Sequence, residues 1–457
     1  MQLVKKTKLP ALADSAVLRY FNFIALYFAE GLPMGMLFIG IPAWMAMNDK
    51  SIVEIGSFDV ACAFPWTFKF FVAPLMDRYT YLPMGRKRPW VIICQTGLFL
   101  SMVGFAFVPD PLNNVHLLVI GGFIVSIFGA SQDAATDGLA VDTVPAEEQA
   151  KTNAYMNGSR MIGSSFALTI GTWLLTDYNF KISVLVIAIL IGLIIFVPLL
   201  LRERSSERIF PWSSGAPDED NEKLQINSWA AMVRSLYMAF SLKNSFLLGL
   251  LLFTSQGAYN YFEKLLPIFA VKVSGWTNVY YSHVFSIADL TGGILGMLVG
   301  GWLIDKFGKK RMIYTYLFFI LFETLLLVFL SKYWTNVPFL YSFIIIYRWV
   351  NAFAKIGVFA IAMQCCSKKV SASQFTFYMT IGALGSMVGA ALIAPVKSFF
   401  SWEVSFALFA LMMLISAFLL RLLNFNKLEQ QISDMAEIDA EEKYLTTNSD
   451  AWQMNKP

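Results

Sequence analysis

Asp305-Lys306-Phe307-Gly308-Lys309-Lys310-Arg311 follows one apolar stretch and leads into the next, and the same device stands earlier as Asp77-Arg78 followed by Gly85-Arg86-Lys87-Arg88. Each loop joins an acid at the end of an apolar stretch to a glycine and a basic run. Outward from these loops, twelve stretches reach the roughly 20 residues needed to cross a bilayer. They are 19–47, 52–76, 89–108, 115–141, 150–176, 181–201, 245–271, 278–304, 311–331, 338–366, 372–396 and 402–424. The loops follow the second and the eighth, six helices apart on one face, as parallel repeats about an axis along the membrane normal require. The expected fold class is an all-α membrane protein of twelve transmembrane helices in two six-helix pseudo-repeats. Its expected divisions are an N-terminal half (1–201), a linker (202–243), a C-terminal half (244–424) and an acidic tail (425–457).

Composition agrees. Of 457 residues, 57% are hydrophobic and 14% charged, more apolar surface than a soluble protein of this length can bury. A net charge of +4 leaves no electrostatic footprint for nucleic acid. The first stretch is too long for a signal peptide and is expected to stay as a span. With the amino terminus in the cytoplasm, 25 of the 35 Lys and Arg fall on the cytoplasmic side and five outside, so both termini are expected to be cytoplasmic. The tail, with Glu429, Asp434, Glu437, Asp439, Glu441 and Glu442, is expected to be partly disordered. In the linker, Trp229, Val233, Leu236 and Phe240 recur at helical spacing opposite Arg234, which suits either a helix lying on the membrane surface or a plain solvated connection.

The basic runs are expected to anchor at anionic lipid and to engage carboxylates or helix carboxyl ends when the halves meet, although charge that only sets topology reads the same way. The gate candidates are Asp77, Arg78, Gly85, Arg86, Lys87, Arg88, Asp142, Asp305, Gly308 and Lys309, with Asp142 expected to pair with the Arg86–Arg88 run.

This pattern resembles the major facilitator superfamily, whose signature joins an acid, a glycine and a basic run after helices two and eight. Four segments are similar to its AmpG muropeptide permease branch, also called the peptide and acetyl-coenzyme A transporter family: Glu30-Gly31-Leu32-Pro33, Phe68 through Tyr79, Ala130-Ser131-Gln132-Asp133-Ala134-Ala135-Thr136-Asp137, and Val370-Ser371-Ala372-Ser373-Gln374-Phe375. The extra residues between Asp77 and Gly85 also fit that branch. The seventh helix departs from it, with Tyr261-Phe262-Glu263-Lys264 where a Lys and Asp pair is expected earlier.

An ionisable group inside a spanning helix costs about 2.5–3.5 kcal/mol on insertion scales, so each should face a cavity or a partner. Glu30, Lys69, Asp133 and Arg160 fall in one layer by helical rise, and Asp137 shares a helical face with Asp133. Asp133 or Asp137 is the expected carrier of a coupled proton, with Arg160, Glu30 and Lys69 as its electrostatic neighbours; a permanent salt bridge joining helices two, four and five is the competing reading. In the second half Asp289, Arg348 and Lys355 suggest a cationic wall for an anionic substrate, joined by Gln132, Gln256, Tyr259, Asn260, Tyr261 and Gln364 as candidate sugar or peptide contacts that packing would also explain. Glu323, mid-helix, is expected to pair locally with a neighbouring helix. The proline pairs Leu32-Pro33, Phe64-Pro65, Leu266-Pro267 and Ala394-Pro395 mark expected bends.

No phosphate-cradling Gly-Lys-Ser/Thr loop, His-Glu-x-x-His pair or nucleophile elbow is present, and Cys62, Cys94, Cys365 and Cys366 read as packing residues. Neither an enzyme nor any cofactor or metal is expected. The resemblance implies a monomeric proton-coupled symporter of the bacterial inner membrane, importing anhydro-muropeptides by alternating access. Its expected partners are an amphipathic, anionic small molecule, protons and membrane lipids. A ferric siderophore or acetyl-coenzyme A as cargo, or a receptor without transport, stays open.

Overall fold

A computed structural model describes residues 11–226, 228–428, 430–432 and 434. Among the described residues, twelve long helices carry the fold. The first six are α1 (Ala16–Met47), α2 (Val53–Arg78), α3 (Arg88–Ala106), α4 (Val115–Thr143), α5 (Gln149–Asp177) and α6 (Phe180–Leu200). The second six are α7 (Lys243–Lys272), α8 (His283–Phe307), α9 (Lys309–Phe329), α10 (Val337–Gln364), α11 (Lys368–Phe399) and α12 (Trp402–Leu422). Of the tail acids, Glu429, Glu437, Asp439, Glu441 and Glu442 lie outside the described residues.

Ten of these helices are long and apolar enough to cross a membrane, and α7 makes an eleventh when joined to the Trp229–Ser241 helix before it, across a 78° bend. The one left over is α5. Its 29 residues are ample in length, but Lys151, Asn153, Asn157 and Arg160 dilute its apolarity. Those polar residues are held inside the bundle: Arg160 pairs with Glu30 and Lys151 lies over the Tyr20 ring, both on α1, while Asn153 meets Met363 of α10 and Asn157 lines a cavity between the halves, so the helix can be polar without facing lipid.

The helical pattern changes near three of the four prolines expected to mark bends, and not at the prolines themselves, while α7 runs unbroken through Pro267. Pro33, Pro65 and Pro267 lie within helix, whereas α1 widens into a π turn at Met36–Gly40 and α2 tightens into a 3-10 turn at Lys69–Phe71. A second π turn, Gly296–Gly300, interrupts α8, and α11 breaks at Leu392, ahead of Pro395. Such turns free backbone groups locally and are frequent at functional positions.

Within each half the same partners pack closely, α1 on α5 and α7 on α11. A Cβ at Gly31 would lie 2.2 Å from the Arg160 carbonyl oxygen, and one at Gly385 would lie 2.0 Å from that of Phe253, so glycine alone permits these crossings. The halves meet through α2 and α4 against α11, and through α5 against α8 and α10. The Trp229–Ser241 helix turns Val233 and Tyr237 outward and Met232 and Ala239 inward; Leu236 packs inward and Phe240 meets the Tyr378 ring edge-on. The apolar stripe expected for a membrane-surface helix is therefore divided between an exposed face and a seat on α11.

The four cysteines are buried and free. Glu323 is buried with no cation paired to it among the described residues, and the group that faces it from a neighbouring helix is the Tyr347 backbone of α10.

Candidate functional site

A cavity of about 270 Å³ lies between the halves, with α5 on one side and α7, α8 and α10 on the other. Arg348 organises the C-terminal wall. Its guanidinium donates to the Tyr259 hydroxyl at 2.8 Å and to Glu263 at 3.1 Å, pairs closely with Asp289, and lies 4.2 Å from the centre of the Phe285 ring. One arginine thus ties α10 to both α7 and α8. Lys355, two turns further along α10, has its ammonium 5.1 Å from the Tyr259 ring centre and forms no ion pair among the described residues. Arg160 faces this wall from α5. Three cations against two carboxylates leave one positive charge in excess along the lining.

The N-terminal half keeps its acids behind that surface. Glu30 is fully buried and receives Arg160 at 3.3 Å, while Arg160 also donates to Asn157 at 2.7 Å. Lys69 pairs closely with Asp133, joining α2 to α4. Tyr27 donates its hydroxyl to Asp137 Oδ1, and Asp137 Oδ2 is buried with no hydrogen-bond partner. The bridges therefore run α2 to α4 and α1 to α5, not as one chain through helices two, four and five. By contrast, the side chains of Glu263 and Asp289 are 24% and 37% exposed, so the cavity meets the C-terminal acids directly.

Several sequence candidates sit elsewhere. Gln132 donates to the Leu26 carbonyl at 3.3 Å and to Thr136, which holds α4 on α1. Tyr261 is buried with its hydroxyl on the Ser405 carbonyl, facing α12. Gln256 lies against Gly382 of α11, and Asn260 is half-buried outside the cavity lining. Gln364 accepts from Lys309 at 2.7 Å at the basic-loop end. Sequence reading missed Tyr27 and Glu263 as members of the charge layers. Both had a signal: Tyr27 is one turn before Glu30, and Glu263 is four residues after Tyr259 on the same face.

The basic-loop end is closed by two related contacts. Asp77 receives Lys87 and caps the start of α11, accepting from Ser373 N at 2.7 Å, Ser373 Oγ at 2.6 Å and Ala372 N at 3.3 Å. Asp305 correspondingly accepts from Lys151 N at 3.1 Å at the start of α5. Each carboxylate crosses to the other half and meets the unsatisfied N–H groups at a helix start. Arg86 pairs with Asp142 at 3.1 Å and donates to the carbonyls of Lys368 and Lys369, while Lys309 donates to Ala146 O and Gln149. Arg88 bonds the last carbonyls of α6, at Pro198 and Leu199, and Arg78 reaches the Ile226 carbonyl. Gly85 and Gly308 both have positive φ, +108° and +91°, which side chains rarely adopt.

One further clamp was not foreseen. Glu203, just past α6, accepts from the backbone N–H of Arg86 (3.0 Å), Lys87 (2.7 Å) and Arg88 (2.5 Å), capping the start of α3. The start of the linker is itself held by residues 11–13, with Leu12 N on Arg202 O and Ala13 N on Glu203 O.

Two six-helix halves, each braced by its own ion pairs around a small shared cavity and sealed together at one end by matched helix-capping acids, define a multi-pass membrane carrier. The chain belongs to the Major Facilitator Superfamily, whose family model matches residues 23–390, and it is a transporter of that superfamily. It is 25% identical over 384 residues to the anhydromuropeptide permease of Escherichia coli K12, covering 82% of this chain and 73% of the permease. It is 23% identical over 433 residues to the putative transporter AmpG 4 of Rickettsia conorii, covering 89% and 96%. Among solved structures, the superfamily transporter FucP in the outward conformation superposes with a TM-score of 0.64 at 14% identity, covering 89% of this chain and 98% of FucP. The human organic anion transporter MFSD10 gives 0.62 at 14% identity, covering 92% and 100%. Both likenesses concern the fold.

Proposed function

We propose that this chain is a proton-coupled symporter that imports anhydro-muropeptides across a bacterial inner membrane by alternating access, with both termini in the cytoplasm. The observation that carries the reading is the likeness to the anhydromuropeptide permease over 82% of the chain. The cavity supports it through Lys355, the lining cation without a carboxylate partner among the described residues, since a muropeptide presents carboxylates. At about 270 Å³ the cavity lies below the ~300–1,000 Å³ usual for ligand pockets, which suits a resting arrangement whose halves part to admit a larger cargo.

Asp133 and Asp137 remain the proton-carrier candidates, and Asp137 is favoured. Its free oxygen has room for a proton, whereas Asp133 is committed to Lys69. One proton moving with its cargo draws on about 2.3 kcal/mol per 100 mV of membrane potential. The test is uptake of labelled disaccharide and monosaccharide anhydro-muropeptides into proteoliposomes, with and without an inward proton gradient. Acetyl-coenzyme A and a ferric siderophore serve as competitors. Gradient-dependent accumulation supports the reading, and transport of a competitor instead moves the chain to another cargo. Asp137→Asn should keep substrate exchange while abolishing accumulation; loss of both would remove Asp137 from the coupling role.

A further inference from the structure

Away from the central cavity, two grooves run side by side on the outer surface of the C-terminal half, separated by the stacked rings of Tyr314 and Phe318, whose centres are 6.2 Å apart. The first, of about 770 Å³, follows α9 from Lys310 and Arg311 past Phe318 to Phe322. The second, of about 430 Å³, lies between α9 and α12, walled by Leu414, Ile415 and Phe418 and ending at Arg421. Both are apolar along their length and basic at one end, and that end is the basic-loop face. We infer that this paired groove is a binding site for one anionic phospholipid, an acyl chain in each groove and the headgroup phosphate between Arg311 and Arg421.

Three observations point to that occupant. First, Arg311 and Arg421 are exposed and pair with no carboxylate among the described residues, while Lys310 already serves the chain by donating to the Leu423 carbonyl at 2.7 Å. Two unneutralised guanidiniums therefore flank the groove mouth and can take a phosphate bidentately. Second, the depth fits one leaflet. Eleven residues separate Arg311 from Phe322, roughly 16 Å of helix at ~1.5 Å per residue, about half of the ~30 Å hydrocarbon core. Third, a ridge between two grooves suits a molecule with two chains, and Tyr314 puts the more polar ring of that ridge at the headgroup end. Basic pockets between spanning helices are a recurring way to hold anionic headgroups.

The test uses the full-length protein in nanodiscs of equimolar phosphatidylglycerol and phosphatidylcholine, with retained lipid counted by native mass spectrometry. Phosphatidylglycerol should be retained in excess of its bulk share. Arg311→Gln with Arg421→Gln should lower that excess by about fivefold for each arginine removed, the factor that ~1 kcal/mol per basic residue implies. Lys223→Gln with Lys368→Gln removes equal charge from exposed positions outside the groove and should leave the excess unchanged. Phe318→Ala should lower retention of both lipids while keeping the preference between them. An unchanged ratio in the arginine variant overturns the site, and so does an equal fall in the lysine control, which would mean general surface charge. Displacement of the lipid by inorganic phosphate would also overturn it, by showing a headgroup-only anion site. None of these outcomes depends on which solute crosses the central cavity.

Discussion

The loop after α2 and the loop after α8 carry the same short pattern, yet they are built to different depths. In the first, the side chains of Asp77, Arg86 and Lys87 are all sealed from solvent, and Glu203 closes over their backbone. In the second, Lys306, Phe307 and Gly308 are exposed, Lys309 is only partly buried, and Arg311 turns toward the lipid groove. The cause lies in the spacing. Seven residues, Arg78 to Met84, separate the acid from its glycine in the first loop and let Lys87 fold back onto Asp77. Asp305 and Gly308 stand three apart, so Lys309 reaches past its own acid to Ala146, Gln149 and Gln364. A repeat in sequence is therefore not a repeat in energy: one loop is a buried lock, the other a surface latch.

The sharpest way to break that comparison is to remove each acid. Asp77→Ala leaves the Lys87 ammonium buried and uncompensated, which should destabilise the protein by about 3–5 kcal/mol. Asp305→Ala strands no buried cation, because Lys309 keeps its three oxygen partners, and should cost only about 1 kcal/mol. Thermal unfolding followed with a thiol-reactive dye reads both, since all four cysteines are buried and free in the folded chain. Equal losses would show that the two loops carry equal load after all.

Glu203→Ala comes next. It strips acceptors from three N–H groups at the start of α3, and with unsatisfied buried donors costing ~1–3 kcal/mol each, partly relieved by water, the loss should be on the order of 3 kcal/mol. Its effect should depend on Asp77, because the same loop is gripped from both sides; strict additivity in the double variant would separate lock from clamp. Below this, Gly85→Ala should cost more than Gly308→Ala. Both impose strain worth ~1–3 kcal/mol at positive φ, but a Cβ at residue 85 also lies 2.6 Å from the Glu203 carboxyl carbon, whereas nothing lies within 4 Å at residue 308. A larger loss at 308 would reverse the assignment of depth.

What could be read from the sequence follows what is periodic or local. Helices announce themselves by apolar length, and the acid-glycine-basic pattern marks both loops, so the twelve-helix plan and the Arg86–Asp142 partnership were legible. The capping of α11 by Asp77 was not, although Ser371-Ala372-Ser373 stood in plain view, because nothing local says which of many helix starts an acid will meet. Glu203 was hidden in the same way, inside an Arg-Glu-Arg run that reads as solvated linker until the end of α6 carries it over α3. Tyr261 and Gln132 show the converse error. A polar group on a spanning helix draws attention as a ligand contact, yet a neighbouring backbone carbonyl satisfies it equally well. Lys355 and Glu323 are intermediate cases, since a mid-helix charge is visible at once but its partner, or the lack of one, depends on helix rotation.

The smallest effect concerns pH and separates the lock from the latch by its titration. Burial holds the Glu203 carboxyl above the ordinary value of 4.5, against the lowering pull of its three N–H bonds, and Asp142 pushes it the same way as burial. Glu207 beside it is raised by burial and then by Glu203 itself, with Arg88 and Arg204 opposing. A carboxyl raised on folding binds its proton more tightly in the folded chain. Its stabilising contribution is therefore complete below the unfolded value and is lost as pH rises through the folded one. The melting-temperature gap between the natural chain and Glu203→Gln should accordingly be widest in mildly acidic buffer and narrow toward alkaline pH, by less than the Gly85→Ala effect. Gly308→Ala, which alters the second loop without removing a titratable group, should keep the pH dependence of the natural chain. A gap that instead widens with pH would mean that the three N–H groups outweigh burial, making Glu203 a fixed anion and the first loop an electrostatic lock rather than a dipolar one.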